Sequence, residues 1–479
     1  MSHARKIAQN TGLLFISELA NKGIAFLLLI LIARRLGELG YGAYSYAFAF
    51  VSLFVALSNL GLDTFLLKEL ARRKDKAKEI MGNAMGLRLA TLLLSYGLAF
   101  VLAWGLPASR AVLPIIVLVM VHELLTALNA QMTILFKAFE RNEFTVYTVT
   151  VDRLLALAAA AIVLSFWSQL TFLLIGLICA KLLAFFWYAF VASKKFVSFF
   201  FRFDFSLWKS MTAEALLFWM SRVFQVLYTQ IDKVMLGVMA GFAATGWYSG
   251  AATLIDGLFF LPVIVMYANF PVMSRLFSEK SHDLLRNVYE KSLYMLLVIA
   301  LPLSVGLWLL ADPLISFIYG GQFVESAVVL RMLALLVTPL FVNYLIGFLL
   351  NAIDKQGLFT FAGGMAAILN ILLNLFLIPL YVHKGAALAT VVTQVVNFAF
   401  IAWLAARNGY AAPFHKLVYK PLIAAGIMGL ALWWLPIMPM VGLVAIGGLL
   451  YLAVLLMLDG IPKEELELVL ELLRIKSKS

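Results

Sequence analysis

Apolar runs of about 20 residues, the length of a helix that crosses a bilayer, recur from end to end of this 479-residue chain. Inside hydrocarbon a backbone has no water to bond, so only helices and closed barrels can span. The runs here are continuous and do not alternate, which excludes a barrel. Of the residues, 64% are hydrophobic and 13% charged. A soluble protein has about 45–50% and about 25%. A soluble enzyme, a secreted disulfide scaffold and a disordered chain are all excluded. Cys179 is the single cysteine, so no disulfide forms within the chain.

Hydropathy predicts fourteen helices: 11–33, 43–66, 81–104, 111–136, 145–166, 171–192, 211–238, 248–270, 292–311, 327–350, 359–380, 386–406, 421–435 and 441–458. The first follows Arg5 and Lys6 but is too long for a signal-peptide core and carries Glu18 and Lys22, so it reads as a retained span. One set of connecting segments, including both ends of the chain, holds 26 Lys and Arg; the opposite set holds 4. By the positive-inside rule both termini are cytoplasmic. The net charge of +12 is therefore a topology signal, and no nucleic-acid partner is expected. From Pro462 to Ile475 the tail alternates Glu and Leu at helical spacing, as an amphipathic cytoplasmic helix does.

The chain echoes itself. Gly40-Tyr41-Gly42-Ala43-Tyr44-Ser45 is answered by Ala244-Thr245-Gly246-Trp247-Tyr248-Ser249, and Leu13-Leu14-Phe15 by Leu216-Leu217-Phe218. Glu140-Arg141-Asn142 is answered by Asp354-Lys355-Gln356. Echoes in the same order at the same helix positions make spans 1–6 and 7–12 parallel repeats, an arrangement of transporters with a cavity between two lobes. The expected fold is an all-α polytopic membrane protein. It has an N-lobe over 1–200, a C-lobe over 201–410, two added spans over 411–460 and a cytoplasmic tail over 461–479.

Several segments resemble a known family. They are Leu36-Gly37-Glu38-Leu39-Gly40-Tyr41-Gly42, Glu69-Leu70-Ala71-Arg72, Ala138-Phe139-Glu140-Arg141, Ile231-Asp232-Lys233-Val234-Met235-Leu236-Gly237, and Asn370 to Pro379 with Gly385-Ala386-Ala387. Over about 1–460 the chain is similar to the Wzx-like oligosaccharide flippases of the multidrug/oligosaccharidyl-lipid/polysaccharide (MOP) exporter superfamily. That resemblance implies two six-helix lobes, a V-shaped cavity and alternating access. It implies as substrate a polyprenyl-diphosphate-linked oligosaccharide, moved from the cytoplasmic to the outer leaflet. A monomer among membrane lipids is expected, working alongside polysaccharide polymerase or transferase machinery.

Charge inside hydrocarbon is costly and usually faces a bundle interior or cavity. Glu18 and Lys22 are spaced i, i+4 on the first span and share a face; Glu214, Arg222 and Gln225 share one on the seventh. Because guanidinium and ammonium groups suit phosphate, Lys22, Arg88 and Arg222, with Glu18 and Gln225, are the candidate cavity residues. Asp152, as a buried partner for Arg153 or a helix-end contact, together with Glu214, Asp232, Lys233, Arg34 and Arg35, are ion-pair or gating candidates. The bland alternative for Glu18 and Lys22 is a structural pair. Trp219, Tyr228 and Tyr248 are candidate sugar platforms. Pro262, Pro302 and Pro339 are expected to kink helices. Gly82 and Gly86 are expected at a helix–helix contact. His122-Glu123 starts like a zinc-protease helix, but Thr126 stands where the second His is needed, and no metal site is expected. No cofactor is expected, and Na+ or H+ coupling fits the absence of an ATP motif. A cation-coupled multidrug antiporter and a lipid II flippase are the alternatives. An integral-membrane enzyme is disfavoured, since no loop is large enough to hold a catalytic site.

Overall fold

The computed structural model describes residues 3–197, 201–205, 208, 216–435 and 439–460, and leaves aside the side chains of residues 3–16 and 216–218. The predicted tail helix and Glu214 lie outside the described residues. Every described element is a helix. In chain order they are α1 (His3–Asn59), α2 (Leu62–Arg72), α3 (Ala77–Gly105), α4 (Pro107–Ala111), α5 (Leu113–Ala138), α6 (Asn142–Phe166), α7 (Leu170–Lys195), α8 (Leu216–Met239), α9 (Phe242–Gly257), α10 (Phe260–Ser278), α11 (His282–Leu309), α12 (Ala311–Tyr319), α13 (Val324–Ala334), α14 (Val337–Ala352), α15 (Gln356–Arg407), α16 (Phe414–Trp434) and α17 (Met440–Met457).

Among the described residues nine helices are long and apolar enough to cross a membrane, or eleven if each sharply bent pair is joined, against the fourteen expected. The lower number has two sources: α1 with its bent partner and α15 each take in two predicted spans, and α8, the predicted seventh, is not among those that qualify. α1 has 57 residues and α15 has 52. At 1.5 Å per residue each is roughly 80 Å long, more than twice the ~30 Å of hydrocarbon. Each is broken at one residue, α1 at Gly37 (φ 67°) and α15 at Val382 (φ 55°). The segments 34–42 and 381–385, expected as loops, are thus helix on both sides of a single turn residue. Other predicted spans bend part-way along their length. A 45° bend at Leu60-Gly61, where both residues have positive φ, separates α1 from α2. A 49° bend separates Gly321–Ala334 from α14. Pro262 and Pro339 sit in the first turns of α10 and α14, where a missing N–H leaves no helix bond unmade. At Pro302 the helix continues without a break.

The sequence echo has a conformational counterpart. Gly37 and Gly241 both have positive φ, and their numbers differ by 204, as do those of Gly42 and Gly246, and of Tyr44 and Tyr248. Glu140 (φ 59°) and Asp354 (φ 57°) also match. The amide of the residue after each closes back on the preceding helix, Arg141 N to Phe136 O (3.0 Å) and Lys355 N to Leu350 O (2.7 Å). This is a Schellman ending with a left-handed residue at its corner.

The chain divides into two compact units. The first comprises 1–257, 319–323 and 363–389. In it α6, α8 and α9 pack on α1, and α5 and α6 pack on α7. Leu62, Leu66 and Leu70 of α2, Met81 and Met85 of α3, Met132 and Phe136 of α5 and Tyr188 of α7 form its main apolar cluster. Lipid tails are as apolar as these side chains, so close packing and polar ties hold the helices together.

The closest approach in this unit joins α1 to α9. A Cβ on Gly42 would overlap the Phe242 carbonyl oxygen, and one on Gly246 would overlap that of Glu38. Tyr41 Oη and Thr253 Oγ1 share a hydrogen bond of 2.9 Å beside it, and Tyr319 Oη donates to Gly250 O (3.0 Å). Gly86, expected at a helix–helix contact, instead faces the backbone of the 201–205 segment: a Cβ there would overlap Arg202 O. Arg202 N donates to Gly82 O (3.0 Å) and Asp204 N to Asn83 Oδ1 (3.0 Å).

In the second unit α11 packs against α14 and α16, and α16 against α17. Met428 and Leu432 of α16 meet Leu443, Tyr451 and Leu455 of α17 in its apolar cluster.

Asp152 of α6 is paired with Lys181 of α7, not with Arg153. The Lys181 Nζ donates to Asp152 Oδ1 (2.9 Å) and Oδ2 (2.7 Å), and both side chains are buried. The neighbour in sequence points another way: at one residue's spacing on a helix the side chains diverge by about 100°, and Arg153 is exposed. Lys181→Met alone strands a buried carboxylate and is expected to cost about 3–5 kcal/mol, whereas Lys181→Met with Asp152→Leu recovers most of it. Thermal unfolding in detergent measures both.

Candidate functional site

The candidate residues lie on α1 and α8, which pack together and begin the two repeats.

On α8 the exposed stripe is Arg222, Gln225 and Thr229, spaced three and four residues apart on one helix face. Arg222 Nη1 donates to Gln225 Oε1 (3.1 Å), and Thr229 Oγ1 donates to the Gln225 carbonyl (3.0 Å). Among the described residues Arg222 pairs with no carboxylate. Its hydrogen-bond partner is neutral. Trp219, one turn earlier, donates from Nε1 to the Ala56 (3.2 Å) and Leu57 (3.1 Å) carbonyls. Those carbonyls lie at the end of α1, where the helix runs out. The indole fixes α8 to α1 there and is committed to the scaffold.

On α1 Glu18 and Lys22 are both exposed and form no ion pair with each other. The structural-pair alternative is not what this conformation shows. Asn21 between them is buried and donates from Nδ2 to Ser17 Oγ (3.3 Å). Arg34 and Arg35 are exposed immediately before the Gly37 turn.

Arg88 of α3 is placed differently. It is only 4% exposed, and its Nε and Nη1 have no hydrogen-bond partner. Asp63 and Glu123 act on it through space. Asp63 is itself held by Asn59 Nδ2 (2.8 Å), and Glu123 Oε1 lies 3.0 Å from His122 Nδ1. Arg88 thus sits enclosed among helices and presents no open face here.

Asp232 and Lys233, adjacent in sequence, diverge. Lys233 Nζ donates to Gln230 Oε1 (3.3 Å). Asp232 is buried, 3% exposed, and accepts bonds from Tyr248 Oη (2.5 Å) and Asn374 Nδ2 (2.6 Å); Asn370 Oδ1 accepts from Asn374 (3.0 Å). Asn374 Oδ1 and Asn370 Nδ2 are buried without a partner. Sequence alone marked Asp232 as a gating acid but missed that Asn370 and Asn374, one turn apart on α15, complete its surroundings. The signal was available: two amides at i, i+4 inside an apolar run are costly to bury unless they meet a partner. Tyr248, a candidate sugar platform, is 4% exposed and committed to Asp232.

The fold and these polar helices define a multi-pass, all-helical membrane protein of transporter architecture. A family model described as "Polysaccharide biosynthesis protein" matches residues 7–277, more than half of the chain, and a second, "MatE", matches 219–376. The chain belongs to the polysaccharide biosynthesis protein family, within the MOP superfamily of flippases. It is similar to the probable low-salt glycan biosynthesis flippase Agl15 of Haloferax volcanii, 27% identical over 36% of each chain. The probable flippase AglR of the same organism is 26% identical over 45% of this chain and 46% of that one. The chain thus spans less than half the length of either relative. The succinoglycan biosynthesis transport protein ExoT of Rhizobium meliloti is 22% identical over 95% of this chain and 94% of its own. Among solved structures, the lipid II flippase MurJ in an inward closed conformation has a TM-score of 0.69 at 16% identity, covering 92% of this chain and 97% of that one. A multidrug resistance MATE family transporter, inward-facing, has a TM-score of 0.60 at 14% identity, covering 81% and 95%. At such identities the two structures establish the fold.

Each hydrogen bond to the buried Asp232 carboxylate is worth about 1.5–3 kcal/mol. Tyr248→Phe should therefore lower the thermal unfolding midpoint in detergent, while Tyr381→Phe, at a tyrosine 55% exposed, should leave it unchanged.

Proposed function

We propose that this protein moves a polyprenyl-diphosphate-linked oligosaccharide from the cytoplasmic to the outer leaflet of the cell membrane, by alternating access between two six-helix lobes that follow the sequence repeat. The observation that carries this is Arg222, an exposed guanidinium on α8, the predicted seventh span, which bonds the neutral Gln225 and pairs with no carboxylate among the described residues. Such a charge is costly unless it meets an anion. A diphosphate is a fitting one, because a guanidinium fork takes two phosphate oxygens at once. Lys22 on the neighbouring helix adds a second cation within the same pair of elements. The names of the relatives, a glycan biosynthesis flippase and a succinoglycan transport protein, point to the same substrate class. The headgroup would travel along the polar faces of α1 and α8 while the polyprenyl chain stays in lipid. Both termini would lie in the cytoplasm, and the protein would work as a monomer alongside polymerase or transferase machinery, without catalysing a reaction itself.

Energy would come from an ion. The Asp232 carboxylate beside the unpartnered Asn374 Oδ1 offers oxygen ligands suited to Na+, or a proton-binding acid, at a buried point of the first unit. A multidrug antiporter would draw instead on an acid in the first half. Of the two acids such a reading could use, Asp152 is already neutralised by Lys181, which leaves Glu18.

The test is flipping of a lipid-linked glycan in proteoliposomes. Arg222→Ala should slow it roughly 10–100-fold, the worth of a charged hydrogen bond, with unchanged protein in the membrane. Arg222→Lys should retain an intermediate rate. Full activity in Arg222→Ala would overturn the assignment. Asp232→Asn should remove the dependence of the rate on the Na+ or pH gradient.

A further inference from the structure

The contact between α1 and α9 is symmetric in a way no single helix pair requires. Gly42 approaches the carbonyl of residue 242, and Gly246 approaches the carbonyl of residue 38. Under the offset of 204 residues, 42 corresponds to 246 and 38 to 242. The two contacts are one contact repeated, each half giving a glycine Cα and receiving a carbonyl. A carbonyl against a glycine Cα forms a weak Cα–H···O bond, and the absence of a side chain lets two helix backbones touch. Gly42 also comes close to the backbone nitrogen of Gly246, a Cβ there being 2.9 Å from it.

The surroundings are built around this point. Both glycines follow the positive-φ glycines Gly37 and Gly241 by five residues. Gly37 lies against Gln322, whose carbonyl accepts from Trp247 Nε1 (3.2 Å). Tyr46 packs on Gly237 and meets Phe242 in a tilted ring contact, 5.4 Å between centroids, while its hydroxyl bonds Ser109. Tyr41, Thr253, Tyr319 and Phe323 close the other side. By the distribution of basic residues this end of the helices faces outward.

We infer that the Gly42–Gly246 pair is the point at which the outer ends of the two repeats lock together, and that its backbone contacts must be broken each time the cavity opens outward. The device uses weak bonds on purpose. Two Cα–H···O contacts and a few hydroxyl bonds can be remade in every cycle, whereas a buried ion pair at the same place resists opening. The small size of glycine sets the closed distance. Any side chain at either position acts as a wedge, and because the contact is reciprocal, a wedge on one half is as effective as on the other. This inference rests on the alternating-access reading, but it is tested without substrate, so its failure and the failure of the flippase assignment are distinguishable.

Cys179 is first replaced by Ser, leaving no other thiol. Cysteine is then introduced at Leu39, an exposed residue beside the contact, and labelled in intact cells with a membrane-impermeant maleimide, alongside Glu38→Cys within the contact. Gly42→Ala and Gly246→Ala are each expected to raise labelling of Glu38→Cys severalfold relative to Leu39→Cys. Gly97→Ala, where an added Cβ meets nothing within 4 Å, is expected to leave the ratio unchanged. Equal ratios in all three variants would overturn the inference, as would an effect from only one of the two contact glycines. Should either variant fail to reach the membrane, hydrogen exchange of the unsubstituted protein decides the matter. Peptides covering 38–46 and 242–250 are expected to open together; independent opening would overturn the lock.

Discussion

The first unit depends on a backbone-to-backbone contact. Where α1 meets α9, Gly42 and Gly246 let two helices approach until carbonyl oxygens of each rest on the other. Membrane helices gain little from burying apolar surface against one another, since lipid is equally apolar. Close approach and polar ties must supply the cohesion. Once the glycines fix the distance between α1 and α9, Tyr248 is set two residues beyond Gly246, within reach of Asp232. The buried acid is then satisfied by donors from α9 and α15.

The same geometry separates two kinds of intramembrane charge. Asp152 with Lys181, and Asp232 with Tyr248 and Asn374, are buried and bonded. Removing one partner exposes the cost of the other. Arg222, Glu18 and Lys22 are exposed on α8 and α1, Arg222 bonded to the neutral Gln225 and Glu18 and Lys22 not paired with each other. The first kind keeps helices in place. The second leaves a charge accessible, which is what the proposed diphosphate site requires. Arg88 stands between them, buried with two nitrogens unpartnered near two acids already bonded elsewhere.

Much of this was legible in the chain. Continuous apolar runs dictated an all-helical membrane protein because no other continuous structure satisfies its own backbone in lipid. The segment Gly40 to Ser45 and its echo announced a repeat, and the structure shows both copies turning on a positive-φ glycine five residues before the contact. Less legible was where helices end. A turn inside α1 costs a single residue, Gly37, so hydropathy assigned a loop where the helix resumes at once. The bends at Leu60-Gly61 and before α14 fall inside apolar runs and leave no dip in hydropathy.

Sequence by itself determined the class of fold, the repeat, the sidedness expected from Lys and Arg, and the list of charges within the spans. These follow from composition and period, which are local. Only the tertiary structure decided the partners. It gave Lys181 to Asp152 in place of the adjacent Arg153, committed Tyr248 to Asp232 and Trp219 to the end of α1, turned Gly86 toward the chain at Arg202, and left Arg222 exposed beside Gln225. A hydrogen bond depends on which helix lies alongside. Residues 29 or 142 apart in sequence become neighbours only through packing, and no spacing along the chain encodes that distance.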